Sequence, residues 1–480
     1  MNLNQTLQEK YPHLEVSVLK LSEVKKNIDF RIDDSFWTMK LIYNNKLNYK
    51  KIGECLLKSQ YGISINMNEG GDGIPIYRMN DIDNMLCNFE VKKYALIDKN
   101  ELQTFRLNYG DVLFNRTNSY EFVGRTGIFY NNRENFVFAS YLVRLVCNKE
   151  ILLPEYLTVF LNTHIGKKEI RRRARPSINQ TNVNPEELKE IKIPIFPMEF
   201  QLEIQNLVKD SHKALEESKE LYKKAEETLY LELGLDPKNP LQSLLDSKTN
   251  NPTNSPNISI HTLKESFLKT GRLDSEYYQK KYEINEKIIM NKKYTVLDNL
   301  VSITKSIEPG SNLYKNKGIP FIRVTNLTQY GLSEGDVFLD EKDFFPQYLQ
   351  ILYPKKDTIL FSKDGSVGIA YCVKEDKEVI TSGAILHLNI KDKENILPEY
   401  LTLFLNSIFV KLQAQRDCGG SIISHWRIED IKKVLVAILD IKIQEKIAKY
   451  IQESFNLRKK SKQLLDNAKN KVEEQIQGKI

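Results

Sequence analysis

The chain has 480 residues, of which 41% are hydrophobic and 28% charged, and a formal net charge of +7. It is too long for one ordinary core and too apolar for a disordered chain, so two or three folded domains are expected. The small cationic excess permits an anionic partner without demanding one. No apolar run approaches the ~18–20 residues of a membrane span, and MNLNQTLQEKYPHLEV lacks a signal-peptide layout, so a cytoplasmic location without membrane contact is expected.

Near the start, KLSE (20–23) leads into FRIDDSFW (30–37). TLKE (262–265) and GRLDSEYY (271–278) repeat that order, with Arg31, Asp33, Phe36 and Trp37 answered by Arg272, Asp274, Tyr277 and Tyr278. Short runs rich in Val, Ile, Tyr and Phe follow, bounded by Gly, Asn and Asp, and read as strands. GIPIYRMNDI (73–82) has its echo in GIPFIRVTNL (318–327), and GDVLFNR (110–116) in KDTILFSK (356–363). EGGDGIP (69–75) has no third glycine on schedule and no helix behind it, so it reads as a turn before a strand.

The closest internal match is LLPEYLTVFLNT (152–163) with ILPEYLTLFLNS (396–407). Pro154 and Pro398 sit where the first turn of a helix tolerates proline. Each half then ends on a long helix. Ile204, Val208, Leu215, Tyr222 and Leu229 lie on one stripe, and Ile447, Ile451, Leu465 and Val472 on the other, both at heptad spacing. Ser211, Ser218, Ser454 and Ser461 fall on the same stripes, where small side chains let two backbones approach. The stretch 235–260 is dense in Pro, Asn and Ser and reads as a linker. It is long enough to let the two helices pair antiparallel.

The expected fold is therefore α+β: two tandem homologous mixed α/β domains, each followed by a long α-helix, the helices packed as an antiparallel coiled coil. The expected boundaries are 1–197, a central helix at 198–234, the linker at 235–260, a second domain at 261–438 and a distal helix at 439–480.

Enzyme signatures are sparse. There is no Walker A sequence and no Cys-x-x-Cys, and the histidines are never within one helical turn of each other. The scattered cysteines, Cys55, Cys87, Cys147, Cys372 and Cys418, are odd in number and read as reduced thiols. Asp364, Glu375 and Lys377 have the carboxylate–carboxylate–lysine order of metal-dependent nucleases. The plainer account is a charged hairpin turn, VKEDKE, because the corresponding first-half stretch, NNREN, keeps no such trio.

The doubled Arg-x-Asp-x-x-aromatic-aromatic segment, the doubled Leu-Pro-Glu-Tyr-Leu helix, and IPIFPMEFQLEI or VAILDIKIQEKI running into a long helix together resemble the specificity (S) subunit of type I restriction–modification systems. Gln201 and Gln444 match the family's Glu-Gln before the helix; Glu199-Phe200 and Lys442-Ile443 do not reproduce its Glu. The resemblance covers nearly the whole chain. It implies two target-recognition domains, each reading half of a split double-stranded DNA site, on helices that dock two methyltransferase (M) subunits. It also implies that no cofactor belongs to this chain: S-adenosylmethionine would sit in the M subunit, and ATP and Mg in a restriction (R) subunit. The rival readings are a metal-dependent nuclease and a protein-binding helical scaffold of a phage-defence system.

Under this resemblance the DNA contacts are expected in three places. GKKEIRRRARPS (166–177) carries Arg171, Arg172, Arg173 and Arg175, suited to phosphate or guanine. The turns after the VLF and ILF strands carry Asn115, Arg116, Asn118 and Arg125 in one half, and Ser362, Lys363 and Ser366 in the other. The loop QRDCGGSIISHW (415–426) carries Ser421 and Ser424. Arg78 and Arg323, at matching places, suggest a shared phosphate or structural role.

Overall fold

The computed structural model describes residues 3–14, 16, 18–39, 41–131, 135–178, 180–246, 260–333, 335–419 and 424–478. It divides into two units, residues 1–215 with 458–480, and residues 216–457. Each unit thus combines one sequence half with a segment of each long helix. The helices run over Met198–Glu232 and Ile441–Gln477.

In the first unit, a sheet is built on Leu56–Tyr61, Leu142–Cys147, Val112–Asn115 and Thr126–Ile128, paired antiparallel in that order. Leu86–Cys87 adds on parallel to the last strand, followed by Ile82–Asp83. In the second unit Val301–Lys305, Ile385–Ile390, Ile359–Ser362 and Ala370–Cys372 repeat that antiparallel order. The smaller pairings repeat too. Val137–Phe138 runs parallel to Ile74–Tyr77 as Ile380–Thr381 does to Ile319–Ile322. Tyr49–Lys51 pairs with Lys192–Pro194 as Tyr294–Val296 does with Leu435–Ala437.

The Pro-Glu-Tyr signature reflects a repeated lock. Helices Pro154–Asn162 and Pro398–Asn406 both begin on their proline. Tyr156 donates to the Pro194 carbonyl at 2.7 Å, and Tyr400 to the Ala437 carbonyl at 2.7 Å. In the first turn of each long helix a buried glutamine ties the same helix down. Gln201 accepts from the Leu153 amide at 2.9 Å and donates to the Ile151 and Phe196 carbonyls. Gln444 accepts from the Leu397 amide at 3.0 Å and donates to the Asn395 and Leu439 carbonyls. Glutamine fits because it must supply one acceptor and two donors in a dry site.

The Arg-x-Asp segment folds into a small clasp in both units. Arg31 donates from Nε and Nη2 to the two oxygens of Asp33 at 2.7 and 2.6 Å, and Arg272 does so to Asp274 at 2.6 and 2.6 Å. These charge-assisted bonds hold both carboxyls below their usual range. The first aromatic lies against the guanidinium, Phe36 at 4.8 Å and Tyr277 at 4.9 Å. The second donates back to the arginine carbonyl, Trp37 at 2.7 Å and Tyr278 at 2.9 Å. A second arginine stacks on the first ring, Arg172 at 4.3 Å and Arg416 at 5.4 Å. Two cations on one ring are worth roughly 1–4 kcal/mol together.

The stripe residues are buried within the units. Ile204, Val208, Leu465 and Val472 join the first unit's core, against which Leu215 is only half-buried; Ala214 takes the inward place. Tyr222, Leu229, Ile447 and Ile451 join the second unit's core. The helices are antiparallel: Glu203 pairs with Lys471 at 2.7 Å, and further along Ser211 meets Ser461 at 2.8 Å. In the second unit Ser218 meets Ser454 at 3.0 Å. Within the span read as a linker, Pro240–Asp246 forms a helix and buries Leu244. That stretch was read on its Pro and Asn content, which hides two apolar anchors, Leu235 and Leu244. Residues 247–259 lie outside the described residues. All five cysteines are unpaired, and no helix among the described residues is long and apolar enough to cross a membrane.

Two predictions follow from this packing. Truncation after Arg458 removes Leu465, Ala468, Val472 and Ile476 from the first unit's core; at ~1.5–3 kcal/mol per large side chain, it abolishes that unit's cooperative unfolding transition in calorimetry. His387 is buried, 2.8 Å from the Thr381 hydroxyl, and burial pulls its imidazole down to about 4. The unfolded chain takes up the proton at ~6.5, so its stabilisation is present above that pH and is lost as pH falls toward 4. The loss is about 3 kcal/mol, and denaturant titrations of His387→Gln across pH 7 to 4 show it removed.

Candidate nucleic-acid interface

In the first unit the strand Val112–Asn115 ends in the turn that carries Arg116, Asn118 and Arg125. Asn115 is fully buried and holds the turn closed, donating to the Phe122 carbonyl at 3.2 Å and accepting from the Thr117 amide at 3.3 Å. Gly124 then passes so close to Ile170 that a Cβ would sit 2.6 Å from it, at a φ of +86° that favours glycine. Asn115 is therefore a strut of the turn, buried where a contact with a partner was expected.

The chain next forms Thr117–Asn118, which pairs antiparallel with Thr181–Asn182, which in turn pairs with Arg175–Pro176. This ribbon brings the two first-half candidates, 115–125 and 166–177, onto one surface. Arg171 lies over the Tyr120 ring at 5.7 Å, Arg125 over Phe122 at 4.1 Å, and Arg116 over Tyr61 at 5.0 Å. Tyr61, Tyr120, Phe122 and Tyr141 are 37–48% exposed, high for rings beside a well-filled core. Cations alternating with open aromatic faces suit phosphates and bases. The rings escaped the sequence reading, although two aromatics in SYEFVGR, inside a turn with no core face, were a usable signal.

The basic run, which closes the helix His164–Arg173, itself divides. Arg171 is exposed. Arg172 donates to the Phe36 carbonyl at 2.6 Å and stacks on the clasp. Arg173 is buried against Glu169, and its carbonyl accepts from Arg31 at 2.9 Å. Arg175 is paired with Asp29 and with Glu187, the latter at 3.3 Å. Of the four arginines expected at DNA, Arg172 is thus tied to the clasp and Arg173 to Glu169, while Arg171 faces solvent. A row of arginines does not reveal which of them face inward.

The second unit builds the same junction from other residues. Ser362 is buried, donating to the Ser366 carbonyl at 2.5 Å and accepting from the Ile369 amide at 2.9 Å, so it too is a strut. Lys363 pairs with Asp364, and Ser366 is exposed. The Gly365 amide donates to the Ser424 carbonyl at 2.9 Å, and the Trp426 amide to the Lys363 carbonyl at 2.8 Å. His425, 60% exposed at its side chain, lies 2.9 Å from Asp364, and buried Trp426 anchors the loop. Ser424 is exposed; Ser421 lies outside the described residues.

Arg78 and Arg323 each follow a strand and open a tight turn. Arg78 is 3.8 Å from Asp81, and Arg323 is 2.6 Å from Asp336. Their backbone amides donate to Asp81 and Asn326 at 2.8 and 3.0 Å, which accounts for the matching positions.

The nuclease trio is not assembled. Strands Ile359–Ser362 and Ala370–Cys372 are antiparallel, with Ile359 opposite Cys372 and Phe361 opposite Ala370. Asp364 therefore leaves one end of the hairpin, and Glu375 and Lys377 the other. Lys377 pairs with Glu375 at 2.5 Å. No group of three His, Cys, Asp or Glu that could hold a metal occurs among the described residues.

Comparison with known proteins agrees with this duplicated architecture. The chain is 30% identical over 151 residues to the putative type I restriction enzyme MjaX specificity subunit of Methanocaldococcus jannaschii, covering 31% of this chain and 35% of that one. It is 27% identical over 161 residues to the type I restriction enzyme EcoKI specificity subunit of Escherichia coli K12, covering 33% and 34%. The chain thus spans about a third of the length of these curated relatives. The crystal structure of a type I restriction–modification S subunit from M. genitalium is similar at 15% identity and a TM-score of 0.40, covering 90% of this chain and 96% of that one. The family model for the type I restriction modification DNA specificity domain matches twice, at residues 64–227 and 293–469, and with most of its length covered the chain belongs to that family.

Proposed function

We propose that this chain is the DNA sequence-specificity subunit of a type I restriction–modification complex. Each unit reads one half of a bipartite duplex site. The observation that carries this reading is one scaffold built twice, with the same junction of turn and loop filled differently. In the first unit Arg116, Arg125 and Arg171 stand among open aromatic rings; in the second Lys363, Ser366, Ser424 and His425 occupy the matching place. A protein that reads two different half-words needs this combination: buried struts at the same place in both copies, and surface side chains that change. Asn118, at the edge of the first-unit ribbon, belongs with the readers.

In this reading the chain performs no chemistry. Two M subunits would bring S-adenosylmethionine and methylate adenine, and R subunits would bring ATP and Mg for cleavage. The complex would work in the cytoplasm. The stripes Ile204–Leu229 and Ile447–Val472 are consumed inside this chain, so partners would meet other faces of it.

Arg125→Ala with Arg171→Ala tests the first-unit surface. Loss of two phosphate contacts lowers affinity for all duplexes and reduces the slope of log K against log salt by about 2. Fluorescence anisotropy at several salt concentrations measures both, and an unaltered slope rejects the surface. Replacing 362–368 together with 415–426 by the loops of another family member changes one half of the methylated word only, read by genome-wide methyladenine mapping.

A further inference from the structure

The clasp has a feature that its internal bonding does not use. Between arginine and aspartate stands an aliphatic residue in both copies, Ile32 and Leu273, 82% and 69% exposed. Extended backbone sends alternate side chains to opposite sides. With Arg31 and Asp33 bonded to each other, Ile32 is turned outward, and Leu273 likewise. Within a few residues along the chain stand further exposed apolar groups: Ile28 and Phe30 at 47% and 57% in the first unit, Phe267 and Leu268 at 49% and 69% in the second.

Phe30 adds a second, independent observation. It has a φ of +48°, in the left-handed region, where the corresponding residue of the second copy is Gly271 at +72°. Glycine is the undemanding choice there, whereas a bulky side chain is strained. More than half of the Phe30 side chain faces solvent, so internal packing does not compensate for the strain. Strain retained at an exposed ring points to an external contact.

Resting on the specificity-subunit reading above, we infer that the apolar face of each clasp is a docking surface for one copy of the methyltransferase partner. The duplication chooses the occupant. A segment of this chain, such as 247–259, occurs once and serves one clasp at most. The DNA backbone offers charged, hydrated phosphates, against which an apolar face gains no hydrophobic burial. A partner present in two copies, as the specificity-subunit reading implies, fits a surface present in two copies. The clasp is held by its fork and by Arg172 or Arg416 on the ring, so docking orders little that was loose.

The test uses the full chain co-purified with the methyltransferase encoded beside it, with stoichiometry read by native mass spectrometry. The wild type carries two copies; Ile32→Ser and Leu273→Ser each weaken one copy tenfold or more, and the double variant carries none. Phe30→Gly weakens the first-clasp copy without lowering the melting temperature, which separates docking from folding. Melting and duplex affinity of the lone serine variants match wild type. A wild type with two copies and variants that keep both overturns the docking surface and leaves the specificity reading standing. A wild type that binds none overturns both. Variants that alter only self-association show a second copy of this chain on the face and also overturn the inference.

Discussion

Each unit depends on burying apolar helix surface that comes from the far end of the chain. The first unit's core is closed by Leu465, Ala468, Val472 and Ile476 on Ile204 and Val208, and the second's by Ile447 and Ile451 on Tyr222, Ala225 and Leu229. Two antiparallel helices can do this only where their backbones come close. Ser211, Ser218, Ser454 and Ser461 allow it, each bonding across the seam so that none of these four hydroxyls is buried unsatisfied. Neither sequence half closes its own core alone, which ties the two halves into one molecule.

On that base the repeated motifs divide the labour. Gln201 and Gln444 fix the Leu-Pro-Glu-Tyr helix to the start of the long helix. The clasp then fixes the end of the helix that follows, His164–Arg173 or Ile408–Asp417, through Arg172 on Phe36 and Arg416 on Tyr277. Both ends of that helical pair are thereby held, and the loop that leaves it meets the turn after the central strand. The repeated residues are the positioning parts. The loop and the turn are free to differ, and they do.

The duplication, the strand runs, the proline-started helices and the seam were legible in the sequence because each is a local or periodic pattern. Arg-x-Asp-x-x-aromatic-aromatic survives in both copies since every member has a partner within six residues. The candidate readers were less legible. Asn115 and Ser362 look like surface polar residues but are buried struts, and Arg172 and Arg173 sit in a basic run yet face inward. Composition cannot distinguish a cation that meets a partner 140 residues away from one that meets solvent.

The sequence by itself determined that this is one design written twice, with two helices able to pair, because periodicity and repetition belong to the chain's order. Only the tertiary structure decided which end of the chain completes which core, which arginines remain outside, and that Tyr61, Tyr120 and Phe122 stand beside them. Those outcomes rest on long-range contacts, where a side chain's role is set by what folding brings against it.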